Sequence, residues 1–187
     1  MSEKKARQYT KKDYYDIFGS TYAELINGTI YNMSPTPLTT HQWILRILFR
    51  KIDEYIEENG RKCQIYSAPF YVELSDDTVV QPDISVICDS NKSTNEGCTG
   101  APDWIVEVTS CNAVHDYVTK LVLYHKYGVK EYWIVEPNKK TVVAYILNDE
   151  FDVNFFKFTD SIPVGIFDNK LEINIDELLS KFNFKID

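Results

Sequence analysis

Trp104-Ile105-Val106-Glu107-Val108-Thr109, followed by a helical stretch over residues 116–127 and a second apolar run, Tyr132-Trp133-Ile134-Val135, is the segment that decides the fold. The first run is apolar on both of its alternating faces, as expected of a central strand covered on both sides. Gly128 stops the helix. Strand, helix and strand make a crossover unit, so the two strands should run parallel with a right-handed connection.

Downstream, residues 141–167 supply further short strands and 175–182 a final helix. Upstream, residues 63–74 and 78–88 read as strands, the second containing Gln81-Pro82-Asp83-Ile84-Ser85-Val86-Ile87, and the polar stretch 89–100 reads as a loop. Over residues 39–59, Trp43, Ile44, Ile47, Leu48, Ile52, Tyr55 and Ile56 recur at helical spacing, with Gly60 as the stop, which predicts a long helix laid across a sheet. Asn27-Gly28 between two short apolar runs is a hairpin signal, because a type I′ turn needs positive φ at both central positions. Residues 9–18 form a short leading helix. The whole reads as one mixed α/β domain over residues 1–187, a central mixed sheet flanked by helices with an N-terminal β-hairpin, and residues 1–8 as a flexible tail.

At 187 residues and 44% hydrophobic content the chain can bury a substantial core. No apolar run reaches the roughly eighteen residues a membrane span needs, and the polar, basic start lacks the apolar segment of a signal peptide, so a soluble cytoplasmic protein is expected. Cys63, Cys88, Cys98 and Cys111 are irregularly spaced with no CxxC pair, which suggests free thiols rather than a zinc site or a disulfide framework. A net charge of −8 argues against a protein that coats nucleic acid, although a local basic rim can still carry phosphate contacts.

Glu107 is the informative oddity: a carboxylate between two valines of a strand that should be buried, where an unpaired charge costs several kcal/mol. It requires a cation, a metal or a proton. Asp83, at the head of its strand, poses the same question. Two hard oxygen donors on adjacent strands suit Mg²⁺ or Mn²⁺, which take one or two carboxylates plus waters and phosphate; the alternative is a core Lys or Arg beside Glu107 and a strand-end role for Asp83. Lys120, Tyr124 and Tyr127 fall at i, i+4 and i+7 on one helical stripe, from which Lys120 could reach the carboxylates. His41 in the first turn of the long helix could donate to a phosphate, and Glu24 in the hairpin could complete a metal shell. Cys111 and His115 lack an orienting third group, Ser110 lacks a nucleophile-elbow context, and no glycine-rich phosphate loop is present.

Taken in order, Glu24-Leu25-Ile26-Asn27-Gly28, His41-Gln42, Gln81-Pro82-Asp83-Ile84-Ser85-Val86, Gly100-Ala101-Pro102-Asp103, Glu107-Val108-Thr109-Ser110, Lys120-Leu121-Val122-Leu123-Tyr124 and Gly128-Val129-Lys130-Glu131-Tyr132-Trp133 resemble the Uma-type restriction endonuclease family of the PD-(D/E)xK nuclease superfamily. The resemblance implies a restriction-endonuclease-like core and a metal-dependent nuclease acting on DNA. It puts the superfamily's PD aspartate at Asp83 and its (D/E)xK acid at Glu107, both as metal ligands. The chain departs from the motif at Thr109, where the superfamily has lysine; Lys120 matches the lysine that migrates to the following helix. Glu24 and His41 match further motif positions. A homodimer is the expectation by analogy with nucleases that cut two strands. The competing reading is a nuclease-fold protein that no longer cleaves and serves as a nucleic-acid-binding or oligomeric module.

Overall fold

The computed structural model describes residues 8–18, 23–32, 38–109, 115–148, 151–184 and 186. Elements follow in the order α1 (Lys11–Phe18), β1 (Ala23–Ile26), β2 (Thr29–Asn32), α2 (Thr39–Glu58), β3 (Gln64–Ser67), β4 (Tyr71–Ser75), β5 (Thr78–Val80), β6 (Ile84–Ile87), β7 (Gly97–Thr99), β8 (Trp104–Val108), a π-helical turn (His115–Lys120) running into α3 (Leu121–Tyr127), β9 (Glu131–Glu136), β10 (Thr141–Ile146), β11 (Asp152–Lys157), β12 (Ile162–Pro163), β13 (Glu172–Ile173) and α4 (Ile175–Ser180). This is the expected mixed α/β architecture.

The six-stranded sheet, in the order β11-β10-β9-β8-β6-β3, is built on the predicted crossover: β8 and β9 run parallel, with Glu107 beside Ile134. Because successive side chains alternate, Trp104, Val106 and Val108 pack on the face covered by α2 through Ile44, Ile47, Leu48, Ile52 and Ile56. Ile105 lies on the opposite face with Leu123 and Tyr124 of α3. Glu107 shares the parity of Ile105, so it points towards α3 rather than α2.

The second sheet, β2-β1-β5-β4-β7, begins with the predicted hairpin. Ile26 pairs with Thr29, and Asn27 and Gly28 adopt φ of 47° and 75°. Thr10 and Asp13 cap α1 reciprocally, the Asp13 N–H donating to the Thr10 hydroxyl and the Thr10 N–H to the Asp13 carboxylate at 2.9 Å. α1 then buries Tyr14 against Ala23, Leu25 and Val79.

Three sequence expectations are corrected. Residues 63–74 and 78–88 are not two continuous strands: each breaks at a proline, Pro69 or Pro82, and passes from one sheet to the other, since a proline cannot donate to a ladder. The polar stretch 89–100 is not all loop, because Gly97–Thr99 pairs in parallel with Tyr71–Glu73. Glycine is required there: a Cβ on Gly97 would sit 2.2 Å from the Tyr71 carbonyl oxygen. The cysteines are not all free thiols. Gln64 pairs with Ile87, which sets the flanking Cys63 and Cys88 opposite one another, and their sulfurs are bonded. Cys111, the partner considered for His115, lies outside the described residues, as does Ser110.

Cys98 remains free and buried, its thiol donating to the Gly100 carbonyl and its pKa pushed up to about 11 by burial. Native protein held at pH 8 with iodoacetamide should therefore leave Cys98 unmodified while unfolded protein alkylates fully, as read by peptide mass spectrometry. Rapid native-state labelling would show that this part of the β7 region opens readily. Among the described residues no helix is long and apolar enough to cross a membrane.

Candidate active site

The two corners at Ala68-Pro69 and Gln81-Pro82 lie side by side, the Ala68 N–H donating to the Asp83 carbonyl at 3.1 Å. They form the seam between the sheets, and the five residues singled out from the sequence meet at it. Asp83 closes the second corner just before β6. Its Oδ2 accepts the Val108 N–H at 2.8 Å, and its own N–H points at Glu107 Oε2, 3.5 Å away. The backbone of β8 and the backbone at the corner thus hold the two carboxylates next to each other.

Glu107 is 5% exposed. Lys120 Nζ donates to its Oε1 at 2.7 Å, and the Tyr124 hydroxyl donates to the same oxygen at 3.0 Å. Lys120 ends the π-helical turn and Tyr124 stands four residues on, so one helical stripe delivers both donors. The third member of that stripe goes elsewhere: the Tyr127 hydroxyl donates to Ser75 Oγ in the other sheet. Lys120 also lies 3.1 Å from Glu24 Oε1. Glu24, on β1 and 2% exposed, accepts the Gln81 N–H through that same oxygen at 3.0 Å. His41, in the first turn of α2, places Nε2 at 3.1 Å from Asp83 Oδ2.

The network contains residues that sequence reading did not assign to the site. Tyr124 was visible as the i+4 neighbour of Lys120, yet nothing in the pattern distinguished it from a core tyrosine. Gln81 donates through Nε2 to the Tyr14 hydroxyl and to the Ala23 carbonyl, both at 3.0 Å, and Tyr14 itself donates to that carbonyl at 2.7 Å. These bonds fix the strand that carries Glu24, and burial pushes the Tyr14 pKa up to about 12, keeping it a neutral donor. No sequence signal links Tyr14 to Gln81, 67 residues away.

Two buried carboxylates, those of Glu24 and Glu107, share a single lysine ammonium, and a third, that of Asp83, sits beside Glu107 and is bonded to His41. The surplus of negative charge and the hard oxygen donors fit a divalent cation of the Mg²⁺ or Mn²⁺ type. Among the described residues Asp83 Oδ1 takes no part in any hydrogen bond. The buried His41 Nδ1 has no partner either. No group of three or more Asp, Glu, His or Cys side chains is arranged to hold a metal among those residues. Asp83 and Glu107, held side by side, are the two residues that could hold such an ion, which commonly takes the rest of its shell from water and phosphate oxygens.

A carboxylate pair at a sheet seam, one member ion-paired to a lysine from the following helix, on a mixed sheet between helices, defines a protein of nuclease fold. Residues 13–176 match the sequence profile of the Uma2 family, described as "Putative restriction endonuclease", and the chain belongs to that family. It is also similar to the crystal structure of a "putative nuclease belonging to DUF820" from Anabaena variabilis, at 27% identity and a TM-score of 0.67, covering 84% of this chain and 89% of that one. No match is found among curated proteins.

Proposed function

We propose that the protein is a metal-dependent endonuclease that hydrolyses phosphodiester bonds in DNA. The observation that carries this reading is the pairing of Glu107 with Lys120 and Glu24 beside the Asp83 carboxylate at the seam, in a chain of this family. Asp83 and Glu107 would hold Mg²⁺ or Mn²⁺, which on binding supplies a more acidic water and neutralises charge on the phosphoryl group. Lys120 orients the attacking water or balances the charge that develops on phosphate, while Tyr124 keeps Glu107 in place. Glu24 holds Lys120 from the opposite side. His41 fixes the Asp83 carboxylate from the first turn of α2, where the helix N-terminus favours an anion.

A homodimer belongs to this reading, since two sites would serve two strands; β11, the free edge of the six-stranded sheet with Phe155 exposed, offers a strand that a second copy could pair with. The test is cleavage of supercoiled plasmid and of single-stranded oligonucleotides with Mg²⁺ or Mn²⁺, beside an identically prepared Asp83→Ala protein. Cleavage by the wild type alone supports the assignment, and equal cleavage by both places the activity elsewhere.

The second reading, a non-cleaving nucleic-acid-binding or oligomeric module, draws on one observation: the superfamily's lysine position is Thr109, whose hydroxyl donates to the Val135 carbonyl instead of facing the carboxylates. The two readings separate on metal binding. The nuclease reading expects Mn²⁺ to raise the thermal midpoint of the wild type but not of Asp83→Asn, since a ligand bound only by the native state stabilises it by mass action. Identical midpoints with and without Mn²⁺ in the wild type favour the module.

A further inference from the structure

The charges of α2 are segregated along its length. Arg46, Arg50 and Lys51 precede every acid of the helix, whereas Asp53, Glu54, Glu57 and Glu58 crowd the C-terminal end. A helix dipole favours the reverse order. The arrangement therefore opposes helix stability and sets the positive charge of α2 in its middle, between the acids and the end where His41 meets Asp83. In a chain of net charge −8, basic residues are concentrated here and, in the sequence, over Lys4, Lys5, Arg7, Lys11 and Lys12.

Arg46 is the most distinctive of these residues. Its exposed guanidinium lies 4.9 Å from the centre of the Trp43 ring and 5.3 Å from that of Phe182. Trp43 is in turn stacked on Phe184, with ring centres 4.9 Å apart. Among the described residues Arg46 makes no hydrogen bond and no ion pair. Two aromatic rings thus flank a guanidinium whose N–H donors make no bond among the described residues, and an arginine held this way can grip phosphate oxygens with two parallel bonds. Arg50 lies one turn on, 5.9 Å from the Phe182 ring, and is bonded to Glu54 at 2.7 Å. Arg46 and Arg50 share one face of α2 about 6 Å apart along the axis, turned by about 140° and 180° from His41. With one phosphate per roughly 3.4 Å of each strand, that spans only a few nucleotides.

We propose that the outer face of α2 around Arg46 and Arg50 is a backbone-docking surface for DNA, with Arg46 as the principal phosphate fork and Arg50 as a second contact. The inference rests on the nuclease reading, because DNA is the occupant it names. Contacts of this kind position the strand without reading its sequence, and the paired arginines give the surface charge complementarity to phosphate in a chain that is acidic as a whole.

The experiment is fluorescence anisotropy with a short labelled DNA duplex in Mg²⁺, in a Glu107→Gln background that prevents turnover, with Arg46→Gln and the Arg46→Gln/Arg50→Gln pair followed across a salt series. Each lost phosphate contact should weaken binding by about tenfold or more and make the plot of log K against log salt shallower by about 0.9. Arg46→Lys should keep most of the slope while losing affinity, because it retains the charge but not the fork. Arg46 and Arg50 are exposed, so the thermal midpoint against the Glu107→Gln parent serves as the folding control. Unchanged affinity and slope in the double variant overturn the proposal. So does a salt-sensitive dimer that Arg46→Gln dissociates while DNA binding is unaltered, which would make the surface a contact with a second copy. Absence of any DNA binding by the parent overturns the proposal together with the nuclease reading. The expected slope changes in a protein that never cleaves DNA would remove the enzymatic reading and leave this surface standing.

Discussion

Lys120→Met is expected to destabilise the fold by about 3–5 kcal/mol, the cost of breaking a buried ion pair by removing one partner. The lysine is 3% exposed and lies between Glu24 Oε1 at 3.1 Å and Glu107 Oε1 at 2.7 Å, so its loss strands two buried carboxylates facing the same gap. Methionine fills the volume without supplying charge, which separates the electrostatic effect from a packing defect. The prediction has an internal check. If stranded charge is the cause, adding Glu24→Gln and Glu107→Gln to Lys120→Met should return most of the lost stability, since replacing all members of a buried ionic group is far cheaper than removing one. Urea denaturation of the single and triple variants reads both effects. A single variant within about 1 kcal/mol of the wild type would mean that water or a bound cation already compensates the carboxylates, and that the role of Lys120 in holding the site together is minor.

How far such arguments could be made from sequence alone depended on how local the physics was. Glu107 declared itself because a carboxylate in an apolar strand has no inexpensive solution, and Lys120 followed from helical spacing; both inferences need only neighbours within one crossover unit, whereas Tyr124 on the same stripe was not told apart from a core tyrosine. Asp83 was visible as an acid next to a proline, but its position at a seam between two sheets was not. Pro69 and Pro82 show where strands must stop, whereas the sheet each half joins is decided by pairings such as Leu25 with Val79 and Tyr66 with Ser85, 54 and 19 residues apart by position. The same holds for Gly97–Thr99, which has little strand propensity and is a strand because Tyr71–Glu73 is there to receive it. Cys63 and Cys88 meet only through the register of β3 on β6. Tyr14, Gln81 and Ala23 form their cluster by tertiary contact alone.

Glu107→Gln should behave in the opposite sense to Lys120→Met. Under the nuclease reading it removes a metal ligand and should lower the rate of DNA cleavage by about a thousandfold or more, roughly 4 kcal/mol of lost transition-state stabilisation. Its effect on stability should be neutral or favourable. The amide oxygen can still accept from Lys120 and Tyr124, Glu24 still balances the lysine, and the site loses one of the negative charges that crowd it. A buried site that holds more carboxylates than cations is a strained arrangement, and strain of this kind is tolerated where the missing cation arrives with function. The pair of measurements therefore discriminates better than either alone. A Glu107→Gln protein that melts at or above the wild-type temperature and has lost cleavage fits a site built for a metal. One that melts well below it, with cleavage within tenfold of the wild type, would make Glu107 a structural partner of Lys120 and return the sequence's other option, a core ion pair, as the reason a glutamate stands in that strand.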